Sequence, residues 1–394
     1  MNACALLRLL VVLAIATPAF GDVLCGIDVL QRDDFKPLHH RKIAIVTNHT
    51  GRDRDGRRTI DLLVAAPDVT VVRLFSPEHG IEGTADEKVS DTIDRATGLT
   101  VHSLYGETLR PTRAMLAGID TIVYDIQNLS ARFYTRQATL GYIMEAAAER
   151  GIRVVVLDRP NPTTGLRADG PIADEHHLGF TAYARLPVVH GMTIGELARL
   201  FNEKIRCNLV VIPMQNWRRS MWFDETGLPW INTSPNIRNL TQATLYPAIG
   251  LLEFTNISVG RGTDQPFETL GAPWIDARKL AAHLNAANLP GVRFVPVEFT
   301  PRSSKYAREK CAGVYVLVTD RDALEPTRTA LTIASTLRKL FPDDYDITRL
   351  NTLLVNDQAF AAIKTSDDVT SLADLWREPL RDFDTARQRC LLYP

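Results

Sequence analysis

Lys42-Ile43-Ala44-Ile45-Val46-Thr47 runs straight into Asn48-His49, and that abrupt change from aliphatic to polar decides the fold. An unbroken aliphatic run lacks the alternation of a half-exposed strand and reads as a parallel strand buried on both faces. Three more runs follow the same plan, at 69–75, 121–124 and 153–157. They empty into Glu78-His79, Asp125-Ile126-Gln127-Asn128 and Asp158-Arg159-Pro160-Asn161-Pro162. Open α/β sheets bind ligands in the crevice beyond the carboxyl ends of their strands, where this chain collects carboxylates, imidazoles and amides. Helices are expected at 58–66, 112–117 and 137–150, the last closed by Gly151. Another, 193–204, opens with Thr193 and Glu196, a capping box that assigns Glu196 to structure.

With 394 residues, 45% hydrophobic and 23% charged, the chain is long enough for two domains with sizeable cores. A net charge of −1 with no basic block argues against nucleic acid as a partner. The first 21 residues read as a signal peptide. Arg8 is followed by an apolar run, 9–16, too short to span a bilayer, and Ala19-Phe20-Gly21 offers a cleavage site. Cleavage leaves a periplasmic or secreted protein with no stable membrane insertion. Cys25, Cys207, Cys311 and Cys390 then sit in an oxidising compartment, either as two disulfides in one of three pairings or as buried thiols. Their spacing matches no thiolate zinc site.

From 216 to 273 the chain turns loop-rich and aromatic, with Trp217, Trp222, Trp230 and, just after, Trp274. Aromatic faces beside amides and arginines suit carbohydrate, although each tryptophan taken singly reads better as core or domain interface. Strands at 292–299 and 313–319, helices at 277–287 and 326–341, and a helical tail indicate a smaller α/β or α+β second domain.

Three clusters carry candidate chemistry. In Ser76-Pro77-Glu78-His79-Gly80 a proline and a glycine bracket a tight turn. A partly desolvated Glu78 there, its pKa raised, suits a general acid. Asp125, with Gln127, Arg132 and Tyr134 close behind, is expected at the same sheet edge; two carboxyls flanking one crevice are what glycoside hydrolysis uses. Glu253 and Asn256 precede Gly260-Arg261-Gly262, where glycines allow close ligand approach and the arginine can grip a carboxylate. GxGxxG, P-loop, GxSxG and HExxH motifs are absent. A divalent ion held by His79, Asp125 and Asp158 is a further reading.

The order of these motifs, with His190-Gly191-Met192-Thr193, Ser234-Pro235-Asn236, Ser258 to Thr263 and Gly271-Ala272-Pro273-Trp274, resembles the exo-β-N-acetylmuramidase (NamZ-like) family of bacterial peptidoglycan recycling. The resemblance covers nearly all of the mature chain. It implies a Rossmann-like catalytic domain over 22–215, an aromatic connection over 216–275 lining the cleft, and a smaller C-terminal domain over 276–394. It also implies release of N-acetylmuramic acid from non-reducing ends of peptidoglycan fragments, with no cofactor. Glu78 becomes the leading catalytic carboxylate, joined by Asp125 and His79. Asn48, Gln127, Arg132, Tyr134, Asn236, Glu253, Asn256 and Arg261 become the substrate contacts. Arg132 and Arg261 suit the lactyl carboxylate of the sugar. Asp125 would orient the 2-acetamido group in a substrate-assisted reaction, or act as base toward water. The chain departs from the family's Asp-x-Gly at Asn128-Leu129-Ser130, and carries Arg136 where an aromatic is usual. A non-catalytic binder of cell-wall sugars and a metal-dependent hydrolase are the competing readings.

Overall fold

The computed structural model describes residues 21–85, 88–366 and 368–394. The expected signal segment therefore lies outside the described residues, Gly21 excepted. The first part of the chain contains α1 (Gly26–Arg32), β1 (Arg41–Thr47), α2 (Thr59–Val64), β2 (Val69–Ser76), β3 (Thr92–Ile93), β4 (Thr100–Ser103) and β5 (Thr121–Asp125). It continues with α3 (Arg136–Ala148), β6 (Arg153–Leu157), α4 (Ile194–Ile205) and β7 (Asn208–Ile212). The strands form one sheet in the order β3-β4-β2-β1-β5-β6-β7, parallel throughout except at the β3–β4 pair. Apart from β3, this is the 3-2-1-4-5-6 order of a dinucleotide-binding sheet, with its switch point between β1 and β5.

Side-chain alternation divides the sheet between two cores. Ile43, Ile45, Leu74 and Val123 pack under α1 and α2, while Ala44, Val46, Phe75 and Tyr124 pack under α3 and α4. The α4 capping box forms as expected: the Glu196 N–H donates to the Thr193 hydroxyl, and the Thr193 N–H donates to Glu196. Residues 113–118 make turns instead of the expected helix. The stretch between Pro111 and Gly118, where the backbone turns left-handed (φ +76°), is too short to repay helix nucleation.

The second part contains α5 (Leu240–Ile249), β8 (Thr269–Ala272), α6 (Ala277–Ala286), β9 (Val292–Phe299), β10 (Cys311–Val318), α7 (Pro326–Leu340), α8 (Asn351–Leu354), α9 (Asp357–Thr365), α10 (Val369–Leu372) and α11 (Asp374–Gln388). Its sheet, β8-β10-β9, is antiparallel. Leu280, Leu284 and Leu331 of α6 and α7 pack with Val314 and Val316 in its core. The stretch read as loop-rich thus supplies both α5 and β8. Helix α5 gives no amphipathic signal because it is buried nearly all round and holds Pro247. Its start is fixed by Asn239, whose side chain accepts from the Gln242 N–H at 2.8 Å. Asn239→Ala is expected to cost about 1 kcal/mol, read as a lower urea midpoint.

The end of the chain returns to the first sheet. Phe383 and Cys390 enter the core under α3 and α4. Tyr393 packs with Val23, Met214 and Trp217, and its hydroxyl donates to the buried Asp158. Cys25, Cys207, Cys311 and Cys390 are buried free thiols, as in the second of the two cysteine readings.

Candidate active site

Strand β2 delivers the Pro77–Gly80 turn to the sheet edge on the α3 side. The turn closes through the Gly80 N–H on the Pro77 carbonyl at 3.0 Å. His79 is held in the left-handed region (φ +69°), a costly backbone for a residue with a side chain, and its Nδ1 meets the Ala85 carbonyl at 2.6 Å.

Glu78 faces the start of α3. The Thr135 hydroxyl donates to its carboxylate at 2.5 Å, and Arg136 Nη1 donates to its backbone carbonyl at 2.8 Å. The hydroxyl of Tyr105 hydrogen-bonds to the same carboxylate. Burial pushes the Glu78 pKa up, but the Arg136 charge, Thr135, His79 and Tyr105 outweigh it and leave the group below its ordinary value. The N-terminal end of α3 favours the anion as well. Glu78 is therefore a carboxylate at neutral pH, against the expected raised pKa of a general acid. Burial and the neighbouring Glu78 push Tyr105 up to about 12, which keeps it a donor.

Glu78 and His79 open onto a cleft of about 570 Å³ between the two parts of the molecule. Its other wall carries Glu253 and Arg261, whose Nε lies 2.5 Å from the Glu253 carboxylate. Gly262 is left-handed (φ +81°), and a Cβ there would fall 2.2 Å from the Ser303 carbonyl, so glycine lets loop 303–304 close onto the cleft. Tyr246 of α5 forms the floor, edge-on to Phe133 at 5.1 Å and to Phe267 at 4.8 Å. Burial, together with the charge of Glu253 and, further down, Glu78, drives its pKa well above normal. One neutral phenol thus senses both carboxylates. Tyr134 lines the same space, anchored by its hydroxyl on the Thr233 carbonyl at 2.6 Å, with Asn236 beside it.

Several expected residues stand elsewhere. Asp125 alternates with Tyr124 and points to the α2 face, the opposite side of the sheet from Glu78. It is fully buried, bound by Arg159 at 2.5 and 2.8 Å and by the Thr59 hydroxyl. The Glu78–Asp125 pairing is overturned by this geometry, and among the described residues Glu253 is the second carboxyl lining the cleft. Arg132 is also buried, its guanidinium donating to the carbonyls of Pro171, Leu186, Leu353 and Leu354. It holds chain segments together and does not reach the cleft. Asn48 accepts from Thr50 in a local turn, Gln127 donates to the Asn128 and Pro160 carbonyls, and Asn256 ties down Asp344 and Asp346. None of these three lines the cleft.

The switch-point crevice between β1 and β5 is closed by Arg159 and by Phe223, Leu228 and Trp230 from the connection, leaving about 30 Å³. The four tryptophans also leave the cleft lining to other aromatics. Trp217 and Trp222 are buried, and Trp274 packs on Phe341. Stacked Tyr105 and Phe180, with ring centroids 5.7 Å apart, line the cleft instead. Asn128 and Ser130 lie in the buried loop behind it, where the Ser130 hydroxyl accepts from the Gly191 N–H. The alternative ion site at His79, Asp125 and Asp158 dissolves: Asp125 is taken by Arg159, and Asp158 by Thr193, Gly195 and Tyr393.

Comparison with known proteins matches both parts of the chain. Residues 43–241 fit the N-terminal model, and 244–393 the C-terminal model, of "Exo-beta-N-acetylmuramidase NamZ". The peptidoglycan beta-N-acetylmuramidase NamZ of Bacillus subtilis (strain 168) is 41% identical over 375 residues, spanning 93% of this chain and 91% of that one. Two crystal structures of DUF1343 family proteins from Bacteroides fragilis share the fold. BF0371 superposes with a TM-score of 0.89 at 35% identity, over 95% of this chain and 99% of its own. BF0379 gives 0.78 at 30% identity, over 94% and 99%.

Proposed function

The chain belongs to the exo-beta-N-acetylmuramidase NamZ family, and from that membership we infer that it releases N-acetylmuramic acid from the non-reducing ends of peptidoglycan fragments. The observation that carries the reading to particular atoms is the meeting of Glu78 and the Glu253–Arg261 pair across one aromatic-floored cleft. Its volume falls within the range of small-ligand sites. The substrates are peptidoglycan-derived disaccharides or glycan ends, and the segment at 1–21 fits delivery to the periplasm or beyond.

Glu78 acts as an anion. It either holds the 2-acetamido group of the sugar for attack on the anomeric carbon or takes a proton from attacking water. Tyr105 and Thr135 keep it ionised and aimed. Glu253 supplies a further carboxyl. Phe133 and Tyr246 line the cleft with apolar surface for the C–H faces of the ring.

Arg261, in the cleft beside Glu253, is the cation for the lactyl carboxylate now that Arg132 is committed to backbone carbonyls. Arg261→Ala is expected to raise KM about tenfold on a muramic substrate, the order of one charge-assisted hydrogen bond. The same variant should leave weak turnover of the matching N-acetylglucosaminide unchanged. The whole reading is tested with a chromogenic β-glycoside of N-acetylmuramic acid: wild type releases chromophore, whereas sugar binding without cleavage would make the protein a cell-wall sugar binder.

A further inference from the structure

The turn Glu175–His177 and the start of α9 meet on the surface, and none of the four residues below lines the cleft. There Asp174, His176, His177 and Asp357 each turn one ligand atom inward, and these atoms all lie within 4.8 Å of one another. We propose that they form a binding site for one divalent transition-metal ion of the zinc class, clasping the 174–177 turn to α9.

The donor set is two imidazole nitrogens and two carboxylates, a mixture that suits tetrahedral zinc. Zinc–nitrogen and zinc–oxygen bonds near 2.1 Å place tetrahedral ligands about 3.4 Å apart. His176 Nε2 and His177 Nε2 already lie 2.9 and 2.8 Å from the two oxygens of Asp357. Drawing the set around an ion therefore asks for side-chain shifts and leaves the backbone alone.

Outer-shell contacts orient the carboxylates before any ion arrives. Asp174 accepts from the Asp357 N–H at 2.8 Å and from Asn356, and Asp357 accepts from Asn351 at 2.8 Å. Such contacts fix the aim of metal ligands. Neighbouring histidines that both turn toward one carboxylate, with a second carboxylate closing the ring, offer an ion more than an exposed ion pair gives the fold.

The test uses the full chain, stripped with EDTA and desalted, then titrated calorimetrically with zinc chloride. One equivalent binding with Kd below about 100 µM, with a rise in thermal midpoint, is the expected result. Binding should weaken at least about 100-fold in the double variant H176Q/H177Q, because glutamines keep hydrogen bonds to Asp357 but ligate zinc poorly. An apo midpoint equal to that of wild type would show the variant folded. If it fails to fold, Asp357→Asn serves in its place. Wild-type binding weaker than about 100 µM, or equal affinity in the folded variant, overturns the site and leaves a surface ion-pair cluster.

Discussion

Replacing Glu78 by Gln is expected to lower kcat for N-acetylmuramic acid release about 1,000-fold, within the span seen when a positioned acid–base group is removed. Glutamine matches the carboxylate in shape. It can still accept from Thr135, and the backbone bond from Arg136 survives. What disappears is the charge, so KM should stay close to wild type while turnover collapses. A chromogenic assay on protein of matched thermal midpoint separates the two. Retention of more than a tenth of the activity would remove Glu78 from the chemistry and turn attention to Glu253.

The pH profile gives an independent reading. The working form is the ionised carboxylate, so kcat/KM should be full above the Glu78 pKa and fall as pH drops through it. Because the site holds that pKa below the ordinary 4.5, the acidic limb should lie below 4.5 as well. Activity that instead falls as pH rises toward neutrality would mean that the protonated acid is the working form.

Arg159→Met is expected to destabilise the fold by about 3–5 kcal/mol, the cost of leaving one partner of a buried ion pair uncompensated. Asp125 is fully buried, and Arg159 contacts both of its oxygens, so methionine removes the partner and not the charge. Urea unfolding reads the loss. Replacing Asp125 by Leu in the same chain should recover most of it, because an apolar pair of similar volume in place of a buried ion pair is often neutral. Asp125→Asn should likewise lose stability while its folded fraction keeps its turnover. A specific loss of kcat in folded Asp125→Asn would return that residue to the reaction.

Local signals made the first sheet legible. Aliphatic runs gave β1, β2, β5 and β6, and the Thr193–Glu196 spacing gave the cap of α4. Glu78, His79, Glu253 and Arg261 were visible because constrained turns and flanking glycines surround them. The role of Asp125 was misjudged because emergence at the same edge does not mean emergence on the same face; strand parity puts it with Val123. Arg132 looked like a ligand because burial by four distant carbonyls leaves no mark on neighbouring residues. Tyr105, Phe180 and Tyr246 come from segments far apart in sequence. Arg136 registered only as a departure from the family, although it is the charge that holds Glu78 ionised.

The return of the last residues to the first sheet bears on how the protein is made. Tyr393 bonds Asp158, while Phe383 and Cys390 fill the core beneath α3 and α4. Domains generally fold in order as they leave the ribosome, yet here the opening half of the chain lacks part of its own interior until residues 383–393 have emerged. Its final consolidation waits for that segment, and a nascent chain stalled before it would present that half unfinished to chaperones and proteases.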